Sequence, residues 1–268
     1  MEFRPCIDIH NGSVKQIVGS SLNDQGDTAQ ENYVSGQDAA FYAGLYREYN
    51  ITNGHIIMLN PVSSPYYEAT KKQALSALYA YPGGLQVGGG ITPENAGEFL
   101  SAGASHVIVT SYVFKNGQIR YDHIEKMVRE VGRERLVLDL SARKKENRYF
   151  IVTDRWQKYT DVELTDRTLD ELSSYCDEFL VHAVDVEGKA EGIEEDLARL
   201  LGEWGKLPIT YAGGVHSMDD LRLLKSIGRD RVNVTVGSAL DLFGGSMKFE
   251  EVLQECRGSS YKIKKPAE

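Results

Sequence analysis

The stretch LQVGGGITPEN, residues 85–95, joins a short apolar run typical of a β-strand to a helix start at Pro93 and Glu94. Three consecutive glycines stand at the junction. Glycine loses more conformational freedom on folding than any other residue, so three together are costly in an ordered element. The run therefore indicates a place where the backbone turns tightly or where a ligand must approach it closely.

The glycine stretch has a second copy in YAGGVHSMDD, residues 211–220. The two regions align with these matched pairs: Gly89 with Gly213, Gly90 with Gly214, Thr110 with Gly237, and Ser111 with Ser238. The segments CIDI and VLDL also match, and they carry Asp8 and Asp139. The repeat predicts two related halves, about residues 1–133 and 134–257, with four strand–helix units in each.

Short runs rich in β-branched residues alternate with amphipathic segments along the chain. Eight of them are candidate strands, at residues 3–9, 55–59, 84–88, 106–110, 135–140, 178–184, 208–212 and 232–236. Several are nearly continuous apolar runs, as expected of strands covered on both faces. Eight strand–helix units in about 250 residues predict a single domain over residues 1–257, an α/β TIM barrel of the (β/α)8 type. The alternative is an open doubly wound sheet. Such sheets often carry a G-x-G-x-x-G motif after the first strand, and this chain has no such motif there.

Two segments break this pattern. Residues 19–35 (GSSLNDQGDTAQENYVS) are polar, and we expect a mobile loop there. Residues 258–268 (GSSYKIKKPAE) form a polar tail that we expect to be frayed. Within the pattern, Ser217 and Asp220 have the spacing of a capping box, which predicts a helix start.

The composition excludes several classes of protein. The 268 residues include 30 basic and 39 acidic side chains, which give a formal net charge of −9 and a pI near 5.3. Such an acidic chain is poorly suited to bind nucleic acid or an anionic membrane, and no apolar run of about 18 residues predicts a transmembrane helix. The cysteines lie far apart in the sequence, which predicts no disulfide and a reducing compartment. The histidines do not have the spacing of metal ligands, which predicts no metal site. We expect a cytoplasmic protein, or a plastid one whose transit peptide has been removed.

The matched glycine sites predict phosphate binding. At the carboxyl end of a barrel strand, Gly-Gly lets the backbone approach a ligand. The T-S and G-S pairs, about twenty residues further on, offer N–H groups and a hydroxyl before the next helix. Two such sites predict an elongated small molecule with a phosphate at each end. The alternative is that the glycines only make tight turns.

Asp8 and Asp139 are acidic residues within otherwise apolar strands. Such carboxylates often serve only in structural hydrogen bonds or ion pairs. The repeat, however, places them on the first and fifth strands, which lie across a barrel from each other and flank the middle of a ligand held at both ends. Two carboxyl groups in a partly dry site can have pKa values pushed apart, which supplies an acid and a base for proton transfer beside a carbonyl or imine.

Several segments, in the right order, resemble the ProFAR isomerases of histidine biosynthesis (phosphoribosylformimino-5-aminoimidazole carboxamide ribotide isomerases), especially the eukaryotic branch. They are RPCIDIHNGSVKQIVGS, AYPGGLQVGGGI, ASHVIVTSYVF, VTDRWQK, DEFLVHAVDVEG, YAGGV and VTVGSALD. The resemblance implies a phosphate-binding (β/α)8 barrel with half-barrel symmetry and no metal or cofactor. It also implies an Amadori rearrangement, in which the aminoaldose ProFAR, a small bisphosphate, becomes an aminoketose. We expect a monomer.

The resemblance also implies roles for individual residues. Asp8 would be the general base that takes the C2 proton, and Asp139 the general acid that protonates the ring oxygen, or the two roles would be exchanged. Trp156, in DRWQK, would stack on the imidazole carboxamide. The alternative for Trp156 is an ordinary hydrophobic cover residue.

On the second, third and sixth strands the chain departs from the bacterial pattern of this family. Thr92 stands in place of an arginine after the third strand, and Ala183 in place of a threonine on the sixth. Met58 and Asn60 replace two aspartates of the second strand. Substrate contacts on these strands are therefore not carried over.

The fifth and sixth strands leave further alternatives open. Ser141 occupies the place of a bacterial arginine, and Arg143 comes two residues later. An alignment on the letters SAR would put Ser141 opposite the catalytic acid, whereas the repeat favours Asp139. His182 and Asp185 either compensate for the missing threonine or are structural.

Three other functions compete with the isomerase. The imidazole glycerol phosphate cyclase shares the aspartates and phosphate sites, but it requires a glutaminase partner and has different sequence hallmarks. Phosphoribosylanthranilate isomerase performs the same rearrangement with only one phosphate. A phosphosugar-binding barrel without catalysis would need neither aspartate as an acid or a base.

Overall fold

The structure is a computed structural model that describes residues 1–18, 21–23, 26–154, 156–189 and 191–258. Within these residues the strands are β1 (Cys6–His10), β2 (Ser13–Ile17), β3 (Glu31–Val34), β4 (Gly54–Met58), β5 (Leu85–Gly88), β6 (Val107–Val109), β7 (Phe114–Lys115), β8 (Gln118–Ile119), β9 (Leu136–Asp139), β10 (Ala142–Lys145), β11 (Arg148–Thr153), β12 (Lys158–Glu163), β13 (Glu178–His182), β14 (Ile209–Ala212) and β15 (Val232–Thr235). The helices are α1 (Ala39–Glu48), α2 (Tyr67–Ala80), α3 (Pro93–Ser101), α4 (Tyr121–Val131), α5 (Asp166–Ser173), α6 (Glu195–Trp204), α7 (Met218–Ile227) and α8 (Phe249–Arg257).

Eight strands pair in parallel, and an α-helix follows each of them along the chain. Their order around the sheet is β1, β4, β5, β6, β9, β13, β14, β15. The sheet closes where the segment before β1 meets β15. There the Arg4 N–H donates to the Val234 carbonyl at 2.8 Å, and the Val234 N–H donates to the Glu2 carbonyl at 2.9 Å. The predicted (β/α)8 barrel is confirmed, with β1 and β9 on opposite sides.

Side-chain alternation along the strands separates the core outside the barrel from the barrel interior. On β1, Ile7 and Ile9 are fully buried in the large core shared with the helices. Inside the barrel, a smaller apolar cluster is formed by Ile108, Val137 and Leu180. This cluster fills the middle of the barrel, so only its two ends remain for polar groups.

A buried polar layer lies at the amino-terminal end of the barrel interior. Arg4 forms an ion pair with Glu178 at 2.5 Å, and their side chains are 6% and 4% exposed. Gln86 Nε2 and the Thr210 hydroxyl donate to the two oxygens of Glu178, at 2.9 Å and 2.6 Å. Because a buried charge is stable only when it is paired and hydrogen-bonded, this network holds the closed end of the barrel together.

Gly89 and Gly213 follow β5 and β14 in the same left-handed backbone conformation, with φ of +101° and +122°. A Cβ at Gly89 would collide with the Met58 carbonyl oxygen, and a Cβ at Gly213 would lie 2.8 Å from the Ala183 carbonyl oxygen. Met58 is the last residue of the neighbouring strand β4, and Ala183 directly follows the neighbouring strand β13. The fold therefore requires both glycines, independently of any ligand.

Capping boxes begin the two helices after these glycines. Thr92 N–H donates to the Asn95 side chain at 2.8 Å before α3. Before α7, the Ser217 and Asp220 side chains each accept from the other's backbone N–H, at 3.2 Å and 3.0 Å. The predicted capping box is confirmed, and the repeat extends to the helix starts.

The expectation of a mobile loop over residues 19–35 is wrong for its last part. Residues 31–34 form β3, which pairs with β2 in an antiparallel hairpin joined to β1. Lys15 of β2 and Glu31 of β3 form an ion pair at 2.5 Å across this hairpin. β3 itself is mostly exposed, with only Tyr33 packed against the core, so the alternation of a buried strand is absent from this segment.

The expected helices directly after Thr110-Ser111 and Gly237-Ser238 are also not observed. A turn with the β7–β8 hairpin precedes α4, and a turn with a short 3-10 helix, Asp241–Phe243, precedes α8. Each turn is closed by one backbone hydrogen bond. The Val113 N–H donates to the Thr110 carbonyl, and the Leu240 N–H donates to the Gly237 carbonyl, each at 3.0 Å. The paired segments match each other, but they present single turns rather than helix ends.

Among the residues that the structure describes, no helix has both the length and the apolar character needed to cross a membrane. The predicted frayed tail lies outside the described residues, except for Gly258. The division into half-barrels at residues 133 and 134 stays a prediction.

We expect Arg4→Met to lower the free energy of unfolding by about 3–5 kcal/mol, because Glu178 would stay buried without its counter-charge. Urea unfolding followed by circular dichroism measures the change. Arg222→Met is the matched control: Arg222 is half exposed and pairs with Asp219, so its loss should cost under about 1 kcal/mol. An equal effect of the two substitutions would contradict a structural role for the buried pair.

Candidate functional site

Two adjoining cavities open at the carboxyl ends of the barrel strands. The larger has a volume of about 410 Å³ and the smaller about 40 Å³. Asp8, His182 and Glu187 line both of them. In a (β/α)8 barrel this end carries the active site, so the position suits a ligand that spans the two cavities.

The structure brings every predicted site residue to one of these cavities. The larger is lined by Asp8, Gly89, Gly90, Thr110, Ser111, Asp139 and Trp156. The smaller is lined by Asp8, Gly213, Gly214, Gly237 and Ser238. The two groups of repeat-related residues therefore lie in different cavities, on either side of Asp8.

Asp8 lies at the junction of the two cavities. Burial raises the pKa of its carboxyl group to about 7, and the nearby Glu187 carboxyl acts in the same direction. The His182 ring partly opposes this rise. A carboxyl group with a pKa near neutrality can both accept and return a proton, which is the requirement for a general base that later acts as an acid.

Asp139 is bound quite differently, although it is the same residue type. Its Oδ1 accepts from the Ser141 hydroxyl at 2.5 Å and from the Ser141 N–H at 2.8 Å. His182 Nδ1 lies 3.7 Å from the same oxygen. Burial alone would raise the pKa of Asp139, but the nearby His182 ring and the hydrogen bonds from Ser141 outweigh it and hold this pKa below the usual value.

Glu187 belongs to the site, although sequence analysis did not select it. Burial raises the pKa of this carboxyl group, and its Oε2 is buried without a hydrogen-bond partner among the described residues. It follows β13 in the acidic stretch DVEGKAE, where nothing distinguishes it from Asp185 or Glu191. Only the folded chain shows that the Glu187 side chain turns towards Asp8 and His182.

Trp156 lies between β11 and β12, in the three-stranded sheet that follows β9. Its Nε1–H donates to the Ser141 hydroxyl oxygen at 3.0 Å, and its ring centroid is 5.4 Å from that of His182. The tryptophan is thus anchored beside the acid–base groups and lines the larger cavity. Whether it stacks on a ligand stays a prediction.

Two residues at or near the departures from the bacterial pattern have structural contacts. Asp185 accepts from Arg143 Nε at 2.9 Å and from the Lys144 N–H at 2.8 Å, which ties the loop after β13 to β10. Asn60 accepts from the Asn11 N–H and the Thr70 hydroxyl, at 2.8 Å and 2.7 Å. Asn60 lines the larger cavity, whereas Asp185 lines neither cavity.

A family model described as "Histidine biosynthesis protein" matches residues 2–247. The chain belongs to this family. A chloroplastic relative from Medicago truncatula is 54% identical over 257 residues, which are 94% of this chain and 81% of the relative. Relatives from Neurospora crassa and Saccharomyces cerevisiae are 44% and 43% identical and cover 95% and 93% of this chain, and 96% of each relative. All three are named as imidazole-4-carboxamide isomerases, and each name contains two phosphoribosyl groups.

Membership of the histidine biosynthesis family confirms the resemblance found in the sequence. The relatives above come from a plant and two fungi, as the likeness to the eukaryotic branch predicted. They are named as isomerases, so these three relatives are enzymes rather than passive binding proteins.

One group of side chains in the described part of the barrel has the composition of a metal site. Ligand atoms of Cys6, Asp8 and His55 lie within 4.8 Å of one another. Burial raises the pKa of both Cys6 and Asp8, so the anionic forms that a cation needs are disfavoured. We interpret the group as part of the acid–base site, and metal-free chemistry stays a prediction for this member of the histidine biosynthesis family.

We expect Glu187→Gln to lower the pKa of Asp8 from about 7, because a like charge beside the carboxyl group can no longer form. A carbon-13 NMR titration of the Asp8 carboxyl carbon, assigned with Asp8→Asn, measures the change. The control is Glu191→Gln, since the exposed Glu191 lines neither cavity. An unchanged Asp8 titration in Glu187→Gln would show that the two carboxyl groups do not interact.

Proposed function

We propose that the protein is a ProFAR isomerase, which converts the N-phosphoribosyl aminoaldose ProFAR into its ribulosyl aminoketose in histidine biosynthesis. One observation carries the proposal. Two cavities lined by repeat-related glycine and hydroxyl residues lie on either side of a set of acid–base groups. The isomerase relatives, whose names contain two phosphoribosyl groups, support the same substrate.

The phosphate assignment follows from the contents of the two cavities. Gly89, Gly90, Thr110 and Ser111 would hold one phosphate, and Gly213, Gly214, Gly237 and Ser238 the other. Backbone N–H groups and hydroxyls bind phosphate oxygens well, which suits an acidic chain with few cations at the site. A ligand held at both ends would have its sugar beside Asp8.

Asp8 would then act as the general base that takes the C2 proton. Its pKa of about 7 makes the ionised form available near neutral pH without making it too weak a base. A proton donor is needed as well, and Asp139 and His182 both line the larger cavity together with Asp8. The reaction needs no electron transfer, so these groups are sufficient without a cofactor.

The competing functions fit these observations less well. A phosphoribosylanthranilate isomerase would leave the second phosphate cavity without a role. A cyclase is not what the relatives are named for. A binding protein without catalysis would have no use for a carboxyl group whose pKa is held near neutrality.

Closure of the β2–β3 hairpin and of the β10–β12 sheet over the ligand is part of the proposal. These insertions follow β1 and β9, the strands that carry the two aspartates. Closing them would exclude water and protect the open-chain Schiff base from hydrolysis. We further propose a monomer in the cytoplasm, or in a plastid as the name of the Medicago relative says of that protein.

We expect Asp8→Asn to lower kcat by about 10²–10⁴-fold while ProFAR still binds, because the amide keeps the shape but cannot take the C2 proton. An absorbance assay of ProFAR conversion, with calorimetry for binding, measures both quantities. Asp219→Asn, at a side chain 95% exposed, should leave the rate unchanged. A wild-type protein that binds ProFAR without converting it would refute the isomerase.

We also expect ProFAR binding to change the fluorescence of Trp156 selectively. The chain has two tryptophans, and Trp204 is buried on α6, where its Nε1–H donates to Asp170 at 2.8 Å. The change should persist in Trp204→Phe and disappear in Trp156→Phe. A ligand-induced change that survives Trp156→Phe would contradict contact between this ring and the ligand.

A further inference from the structure

His182 lies at the centre of the site, and its contacts define which of its nitrogens carries a proton. The Ser141 hydroxyl has one proton, and that proton is donated to Asp139 at 2.5 Å. The same oxygen lies 3.1 Å from His182 Nδ1. Since the hydroxyl proton is already committed, Nδ1 must be the donor in this bond.

The other ring nitrogen is then available to a ligand. His182 lines both cavities, and its Nδ1 edge is turned towards Ser141 and Asp139. Nε2 is the nitrogen that remains for a group lying between the two cavities. This arrangement is that of an imidazole held and oriented by a carboxylate, which stabilises the protonated ring.

Asp139 is poorly suited to donate a proton itself. Its Oδ1 already accepts two hydrogen bonds from Ser141, and a carboxylate in that state has no proton to give. The charge that stabilises Asp139 as an anion is the imidazolium of His182. Asp139 and His182 are therefore an ion pair in which only the ring carries a transferable proton.

On the basis of the proposed function, we propose that His182 is the proton donor that opens the sugar ring, and that Asp139 and Ser141 are positioning residues for it. Burial acts to lower the pKa of His182, but the Asp139 carboxylate outweighs this and raises it, with smaller contributions from Glu187 and Asp8. The carboxylate therefore favours the protonated form of the ring.

The protons balance over the whole reaction. His182 Nε2 gives its proton to the ring oxygen, the bond from that oxygen to C1 breaks, and the nitrogen lone pair forms the C1=N bond. Asp8 then takes the proton from C2. The electrons of the broken C2–H bond form the C1=C2 double bond, and the π electrons of the C1=N bond return to nitrogen. Finally Asp8 returns its proton to C1, and neutral His182 takes the proton from the O2 hydroxyl, which becomes the ketone. Both side chains end in their starting states.

The pH dependence follows from the groups that face His182. They are Asp139 on β9, Asp8 on β1, Glu187 after β13, and His55 on β4, whose pKa burial lowers to about 3 so that it stays neutral. Asp8 must be ionised, so kcat/KM should rise through about pH 7. His182 must be protonated, so kcat/KM should fall again at higher pH, where the ring loses its proton.

The decisive experiment compares the pH profiles of His182→Gln and Asp139→Asn. We expect His182→Gln to lower kcat by about 10²–10⁴-fold with little change in KM, to lose the alkaline fall, and to be partly rescued by added imidazole. Asp139→Asn should keep the alkaline fall but move it to lower pH, since the ring loses the carboxylate that favours its charge.

The opposite pattern would overturn the inference. In that case the kcat/KM of Asp139→Asn would show no fall at alkaline pH, or His182→Gln would keep this fall and would not be rescued by added imidazole. If the wild-type protein did not convert ProFAR at all, the proposed function would fail instead, which is a different result. Nitrogen-15 NMR of the wild-type imidazole tests the same point without a variant at position 182. Nδ1 should stay protonated and Nε2 should titrate above pH 6.5, and a titrating Nδ1 would contradict the proposal.

Discussion

The site depends on one seam of the barrel, where the segment before β1 pairs with β15. Two backbone hydrogen bonds make the seam, and the Thr235 hydroxyl adds a bond to the Arg4 carbonyl at 2.8 Å. Closure makes β1 the neighbour of β15, so Asp8 lies beside Gly237 in the smaller cavity. In an open sheet the same residues would lie at opposite edges, and no molecule could contact both of them.

Within this frame, the surroundings give two identical side chains different chemistry. Asp8 is enclosed beside another carboxyl group, and its pKa rises to about 7. Asp139 accepts hydrogen bonds from Ser141 and faces the His182 ring, and its pKa falls. The sequence repeat places the same residue type at both positions, whereas the neighbours Ser141, His182 and Glu187 have no matched counterparts and shift the two pKa values in opposite directions.

Much of this could be predicted from the sequence, because it depends on periodicity. All eight barrel strands and the paired glycine sites follow from apolar runs and internal similarity, and these are local signals. The strand β3 escaped prediction because it is only four residues long and mostly exposed, with no buried alternation. Glu187 escaped it because its neighbours are acidic as well, and its burial depends on how the loop after β13 folds back. The charge state of Asp139 depends on contacts with β13, about forty residues away, which no local pattern encodes.

The left-handed turn at Gly89 and Gly213 has a consequence for the history of such barrels. Each glycine leaves room for a carbonyl oxygen of the adjacent strand, so a side chain there would disturb the architecture before it touched any ligand. Selection for folding alone would preserve both residues. A descendant that came to bind a smaller molecule would need only one of the two cavities and would still keep both Gly-Gly pairs. Counting such pairs therefore measures ancestry, and the hydroxyl-bearing partners are the better record of what is still bound.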